Sequence, residues 1–176
     1  MPERPATPAE SGEPAIDTAR PSALGQRPPD LRMTRVFAAP RRAVFEAWTT
    51  SANVARWFAP RPLTMARCEL DFRPGGAFRF VMQAPDGTEY PFEGAFAEMI
   101  APERIVFTGL VHEGNLSVTT LLFSERDGET TLAVRQSYTI ESAATRGAHL
   151  GWTATLDQLA EHLTVATARD RAHHRS

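Results

Sequence analysis

The amino-acid sequence predicts an α+β fold in which a curved antiparallel sheet wraps around one long C-terminal helix, with two short helices after the first strand. Two observations carry most of this expectation. Stretches of alternating apolar and polar residues recur from Thr64 to Ile140, separated by turn sequences. The segment GWTATLDQLAEHL, Gly151 to Leu163, places apolar groups on one side when wound as a helix. With 176 residues and 42% hydrophobic content, the chain has one domain's worth of core-forming material.

Residues 1–30, MPERPATPAESGEPAIDTARPSALGQRPPD, are rich in Pro, Ala and Glu and nearly devoid of aromatic or β-branched anchors. Such a segment does not offset its ordering entropy, so it is expected to be a disordered arm. The domain is expected over residues 31–168, with a flexible tail over 169–176. The texture changes at Leu31, where LRMTRVFA alternates as a first strand. Pro40 suits a first helical turn, and Val44, Phe45 and Trp48 then share one side, giving a helix from about Pro40 to Trp48. Ser51 is expected to cap a second helix, SANVARWF, which Pro60 ends.

Six strands are then expected: Thr64 to Arg73, Ala77 to Gln83, Tyr90 to Ile100, Arg104 to Val111, Leu116 to Glu125 and Thr130 to Ile140. Pro85-Asp86-Gly87 and Asp127-Gly128 read as hairpin turns, and Pro74-Gly75-Gly76 as a sharper reversal or bulge. Phe78, Phe80 and Met82 alternate with Arg79, Val81 and Gln83, and Leu132, Val134, Gln136 and Tyr138 alternate with Ala133, Arg135 and Ser137. Leu121, Leu122 and Phe123 interrupt the alternation and give no direction. The last helix, of about twenty residues from roughly Ala143, would span ~30 Å. His149, Trp152, Thr153, Leu156, Leu159, Ala160 and Leu163 share its apolar side; Ala154, Asp157, Gln158 and Glu161 take the other.

Composition narrows the function classes. All nineteen Lys+Arg residues are Arg, and the net charge of −2 resides in the first thirty residues. The remainder is neutral and holds no basic run, so neither nucleic acid nor an anionic membrane surface is an expected partner. A lone Cys68 forms no internal disulfide, no apolar run is long enough to span a bilayer, and the N-terminus has no hydrophobic signal core. These features fit a reducing cytoplasm without membrane insertion.

Four motifs carry a resemblance in their order: DFRPGG at Asp71 to Gly76, GAFAEMIAPERIVFT at Gly94 to Thr108, GETTL at Gly128 to Leu132 and GWTATLDQL at Gly151 to Leu159. Together with APRRAVFEAWTTSANVARWFAP, Ala39 to Pro60, they resemble bacterial relatives of the activator of heat shock protein 90 ATPase, in the SRPBCC or START-like superfamily. The resemblance spans about Leu31 to Thr167. It implies the helix-grip (START-like, Bet v-type) fold, with a cavity between sheet and long helix capped by the two short helices. It further implies that many superfamily members hold apolar ligands there, that others are polyketide cyclases, and that the eukaryotic namesake acts on a chaperone through protein contacts. Homodimers are common among such relatives, but no heptad or exposed stripe in this sequence locates an interface. Activity on such a fold varies with the site.

No cofactor motif is present, and Cys68, His112, His149 and His162 have no local pairing at metal-ligand spacing. Cys68, alone on a strand, reads as a small hydrophobe. Asp71 and Arg73 are expected to pair at the surface. Glu93 and Glu98, five apart, would face opposite ways on a regular strand, which argues against an acid and base pair. What remains is a set of inward polar groups, Gln136, Tyr138 and His149, in apolar surroundings. Such groups are normally satisfied by backbone or buried water, but pockets commonly combine an apolar lining with a few convergent polar groups. The expected ligand-binding set is Trp57, Phe80, Met82, Phe96, Gln136, Tyr138, His149, Trp152, Thr153 and Leu156, with no catalytic or metal-ligating residue.

Three functions are thereby expected in order: non-catalytic binding of a small hydrophobic or aromatic molecule, a cyclase or dehydratase reaction using His149 with Tyr138 assisting, and a chaperone-associated interaction. A ligand burying on the order of 300 Å² of apolar surface gains roughly 7 kcal/mol gross at ~25 cal/mol per Å². Association and ordering costs then set micromolar binding as the ceiling.

Overall fold

The computed structural model describes residues 30–111, 115–139 and 143–173. Seven strands, β1 (Leu31–Phe37), β2 (Thr64–Leu70), β3 (Ala77–Gln83), β4 (Glu89–Ile100), β5 (Arg104–Val111), β6 (Asn115–Arg126) and β7 (Glu129–Tyr138), form one antiparallel sheet. Its order is β1-β7-β6-β5-β4-β3-β2, a meander from β2 to β7 with β1 added beside the last strand. The helices are α1 (Arg41–Glu46), α2 (Ser51–Val54) and α3 (Ala143–His173). The expected arm up to residue 29, His112 and the end of the last strand at Ile140 lie outside the described residues. Asp30, placed at the end of that arm, binds Arg135 of β7 at 2.7 Å. The long helix runs through His173, past the boundary expected at residue 168.

The turns form where the sequence calls for them. Asp127 and Gly128 both take positive φ, 54° and 79°, which is the two-residue hairpin geometry that matches strand twist. Gly87 takes φ 89° in the β3–β4 turn, where Asp86 accepts the Thr88 backbone N–H at 2.9 Å. The Pro74-Gly75-Gly76 reversal is held across β4: Gly75 N donates to Phe96 O at 2.7 Å, and Phe96 N to Gly76 O at 2.9 Å.

The two short helices are shorter than their patterns. α2 stops at Val54 and continues as turns through Phe58, and its cap is Thr50 rather than Ser51, the Thr50 hydroxyl accepting from Asn53 N at 3.2 Å. Leu121 and Phe123 are buried and Leu122 is exposed, so β6 keeps its alternation. A β-bulge between Phe96 and Glu98 reverses the parity of β4. Glu93 and Glu98 therefore both face outward, contrary to the regular-strand expectation, each held by its own arginine: Arg79 at 3.4 Å and Arg104 at 3.4 Å. Asp71 and Arg73 pair at 2.7 Å on the surface, as expected.

The core lies between the inner sheet face, the short helices and the C-terminal half of α3, with Val44, Ile105, Leu121, Leu132, Leu156 and Leu159 fully buried. Aromatic rings fill the sheet side of this core. Gly94 and Gly109 sit opposite one another on β4 and β5. A Cβ at Gly94 would strike the Phe78 ring and the Thr108 carbonyl, and one at Gly109 would strike the Phe92 ring. Both rings lie against bare backbone, which only glycine allows at these positions. We predict that Gly94→Val and Gly109→Val each lower stability by about 1–3 kcal/mol through overpacking. Urea unfolding checks this, and midpoints equal to that of the parent would refute the packing described.

Candidate functional site

A cavity of about 510 Å³ opens between the sheet and the N-terminal half of α3. The β3–β4 hairpin supplies one wall through Met82 and residues Thr88 to Phe92. The end of β7 supplies Gln136 and Tyr138, and α3 supplies Ala148, Gly151, Trp152 and Thr155. Phe58 and Pro60, from the turns after α2, close the side nearest the core. The hollow exists because α3 presents small residues here. A Cβ at Gly151 would meet nothing within 4 Å. Further along the helix, Leu156, Leu159 and Leu163 fill the same space solidly.

Aromatic faces line the apolar part. Phe58 and Phe92 are nearly parallel with ring centroids 6.3 Å apart, and Phe58 meets Trp152 edge-on at 6.4 Å. The polar part is one buried network. Trp152 Nε1 donates to Gln136 Oε1 at 2.8 Å, the Tyr138 hydroxyl donates to the same oxygen at 2.6 Å, and Gln136 Nε2 donates to Thr119 Oγ1 at 2.9 Å. Register explains the assembly: Thr119 lies directly opposite Gln136, and Tyr138 follows two residues on along the same face of β7. The Thr155 hydroxyl donates to Phe58 O at 3.2 Å. Burial pushes the Tyr138 phenol up to about 12 and the Cys68 thiol, on β2 and away from this cavity, up to about 11.

The helix is held in place around the hollow by contacts on its other sides. Arg35 of β1 reaches Asp157 at 2.8 Å, and Arg61 forms a two-pronged pair with Glu161 at 3.1 and 2.6 Å. Gln158 Nε2 donates to the backbone oxygens of Trp57 and Ala59. That residue belongs to the outer polar side of the wheel, yet it ties α3 to the segment after α2.

Of the ten residues expected from sequence, Met82, Gln136, Tyr138 and Trp152 line the cavity. Trp57, Phe80, Phe96 and Leu156 are buried in the core outside the lining. Trp57 is packed edge-on against Trp48, with centroids 4.5 Å apart, and its N–H donates to Ala47 O at 3.2 Å; Phe58 and Pro60 supply the lining from this segment instead. Thr153 is half-buried and turned back on its own helix, its hydroxyl donating to His149 O at 2.8 Å. His149 itself is exposed and does not line the cavity. The row of α3 that faces the hollow is Ala148, Gly151, Trp152 and Thr155. His149 lies about 100° further round the helix from Ala148, beside Leu150, which is 75% exposed. Thr155, three residues after Trp152, and Phe92, in phase with Phe96 before the bulge, carried a periodic signal; Phe58 and Pro60 carried none.

A larger depression of about 690 Å³ lies on the opposite face of the sheet, walled by Glu69, Asp71, Arg79, Glu93, Leu110 and Leu116. It is shallow and bordered by the Arg79–Glu93 pair, whereas the inner cavity combines aromatic walls with a buried polar end, which is the usual make-up of a small-molecule site. Among the described residues no group of three or more His, Cys, Asp or Glu converges as a metal site, and no helix is long and apolar enough to cross a membrane.

The sequence over residues 38–164 matches the model of the family described as Activator of Hsp90 ATPase homolog 1-like protein. The chain belongs to that family. Activator of Hsp90 ATPase homolog 1-like proteins are part of the SRPBCC superfamily, whose fold commonly binds hydrophobic ligands. The solved structures similar to this member of the family include a protein of Nitrosomonas europaea, 29% identical, covering 79% of this chain and 96% of that one with a TM-score of 0.68. A protein of Chromobacterium violaceum is 26% identical, covering 76% and 96%, with a TM-score of 0.70. The AHSA1 protein of Silicibacter pomeroyi is 26% identical, covering 78% and 99%, also at 0.70. The sheet wrapped on α3 with its short helices is thus the helix-grip fold expected from the sequence. No match was found among curated proteins.

The chain has no lysine, so alkaline titration is free of side-chain ammonium groups. Because Tyr138 and Cys68 keep their protons in the folded state above the ordinary values of 10.0 and 9.0, their stabilising contribution is complete below about pH 9. It is lost as pH rises through 11 and 12, since the unfolded chain releases those protons first. In a Tyr90→Phe background the tyrosinate absorbance should therefore develop near pH 12, with stability to urea falling between pH 9 and 12. A tyrosinate midpoint near 10 would place Tyr138 in solvent.

Proposed function

We propose that this protein binds a small hydrophobic or aromatic molecule in the cavity between the sheet and α3, and sequesters or carries it without chemical change. The observation that carries this reading is the combination of about 510 Å³ of space, aromatic walls from Phe58, Phe92 and Trp152, and a polar end at Gln136 and Tyr138. The volume falls within the ordinary range for small-molecule sites. Binding would be driven by apolar burial and oriented by the polar end, with Met82 and Ala148 completing the apolar lining. The group expected as acid or base in a catalytic reading, His149, is exposed outside the cavity, and Tyr138, whose phenol burial raises further above neutrality, is no base at pH 7. For a chaperone contact the family description is the only support.

Gly151 separates binding from folding. Gly151→Leu adds a side chain at a lining position where a Cβ meets no neighbour within 4 Å, and replaces glycine within a helix by a better helix former. The expected outcome is a raised melting temperature together with a loss of at least tenfold in affinity for 1-naphthol, read from Trp152 fluorescence or calorimetry. Unchanged naphthol affinity in this variant would place the binding elsewhere.

A further inference from the structure

We propose that the cavity selects neutral ligands that donate a hydrogen bond, such as a phenol or an alcohol, over carboxylates and over molecules that only accept. This rests on the binding reading above and follows from the directions of the hydrogen bonds at its polar end. An indole nitrogen can only donate, so the Gln136 atom 2.8 Å from Trp152 Nε1 is the amide oxygen, which fixes the orientation of the carboxamide. That oxygen can only accept, so the Tyr138 hydroxyl, 2.6 Å away, gives its proton to it. Tyr138 then presents oxygen lone pairs alone to a ligand.

The other buried hydroxyl of the lining shares this polarity. The Thr155 hydroxyl gives its proton to Phe58 O. The Gln136 amide nitrogen places one hydrogen on Thr119 Oγ1. Of the buried side-chain donors of the lining, only its second hydrogen is not assigned to a protein acceptor; the Thr88 and Tyr90 hydroxyls are exposed. Trp48, whose buried indole N–H has no partner, is not part of the lining. Among the described residues no Arg or His lines the cavity, while Glu89 stands at its edge. An anion at the buried end would thus lose its hydration without meeting a cation, with the second Gln136 hydrogen as the one donor left to it. The raised Tyr138 pKa is consistent with the same apolar surroundings.

Four probes of one shape test this on the unaltered protein by titration calorimetry at pH 7: 1-naphthol, 1-methoxynaphthalene, 1-acetonaphthone and 1-naphthoate. Burial alone favours the ether over the more strongly hydrated naphthol. Donation to Tyr138 reverses that order, and naphthol is expected to bind about fivefold to tenfold more tightly than the ether or the ketone, with the naphthoate weakest. Tyr138→Phe is expected to bring naphthol down to the affinity of the ether while leaving the ether unchanged. An ether, ketone or naphthoate that matches naphthol overturns the donor selection and leaves the binding reading standing, the ketone case assigning recognition to the second Gln136 N–H. Failure of all four probes to bind overturns both.

Discussion

The Gln136 carboxamide is the point at which sheet and helix are joined around empty space. It stands on β7 with its oxygen shared by Trp152 of α3 and Tyr138 of its own strand, and its nitrogen bound to Thr119 of β6. A buried amide without partners is costly, and one bound through both its oxygen and its nitrogen restricts the arrangement of its neighbours. This side chain therefore fixes how far the N-terminal half of α3 stands from the sheet. It also fixes the direction in which the Tyr138 hydroxyl and the Trp152 N–H act. The cavity's shape and its chemical preference have one origin.

The hollow is maintained by what is missing as much as by what is present. α3 brings Ala148 and Gly151 to the sheet where it later brings Leu156, Leu159 and Leu163, so one helix is solid core at one end and cavity wall at the other. Across from it, Gly109 lets the Phe92 ring settle against the strand instead of projecting inward. The ion pairs Arg35–Asp157 and Arg61–Glu161 lie on exposed sides of the helix and contribute little individually. Their role is positional, together with Gln158 and Thr155, which anchor α3 to the backbone after α2. A helix held at its flanks and joined to the sheet through one amide does not need its whole inner face filled.

Much of the fold was legible because alternation and turn chemistry are local. Asp127-Gly128, Gly87 and the apolar phases of β3 and β7 are readable from a few neighbouring residues, and each forms as read. The bulge after Phe96 was not legible, because its cause is pairing with β5, and it reversed the direction inferred for Glu98. In the site, Gln136 and Tyr138 stood out as polar residues on an apolar strand face, and Trp152 as the bulkiest group on the helix. His149 shared the same wheel but lies about 100° round the helix from the row that faces the hollow, and it is exposed. Trp57 and Phe58 are adjacent and equally aromatic. Which one enters the core and which reaches the cavity depends on where α2 ends, and α2 ends earlier than its sequence pattern suggests.

The most direct measurement is a crystal structure of the protein soaked with 4-bromo-1-naphthol, recorded at the bromine absorption edge. An anomalous peak between Trp152, Phe92 and Ala148, with the naphthol oxygen within hydrogen-bond distance of the Tyr138 hydroxyl, is the predicted result. A peak confined to the outer depression beside Arg79 and Glu93, or an inner space closed by side chains with no bromine in it, would contradict the account.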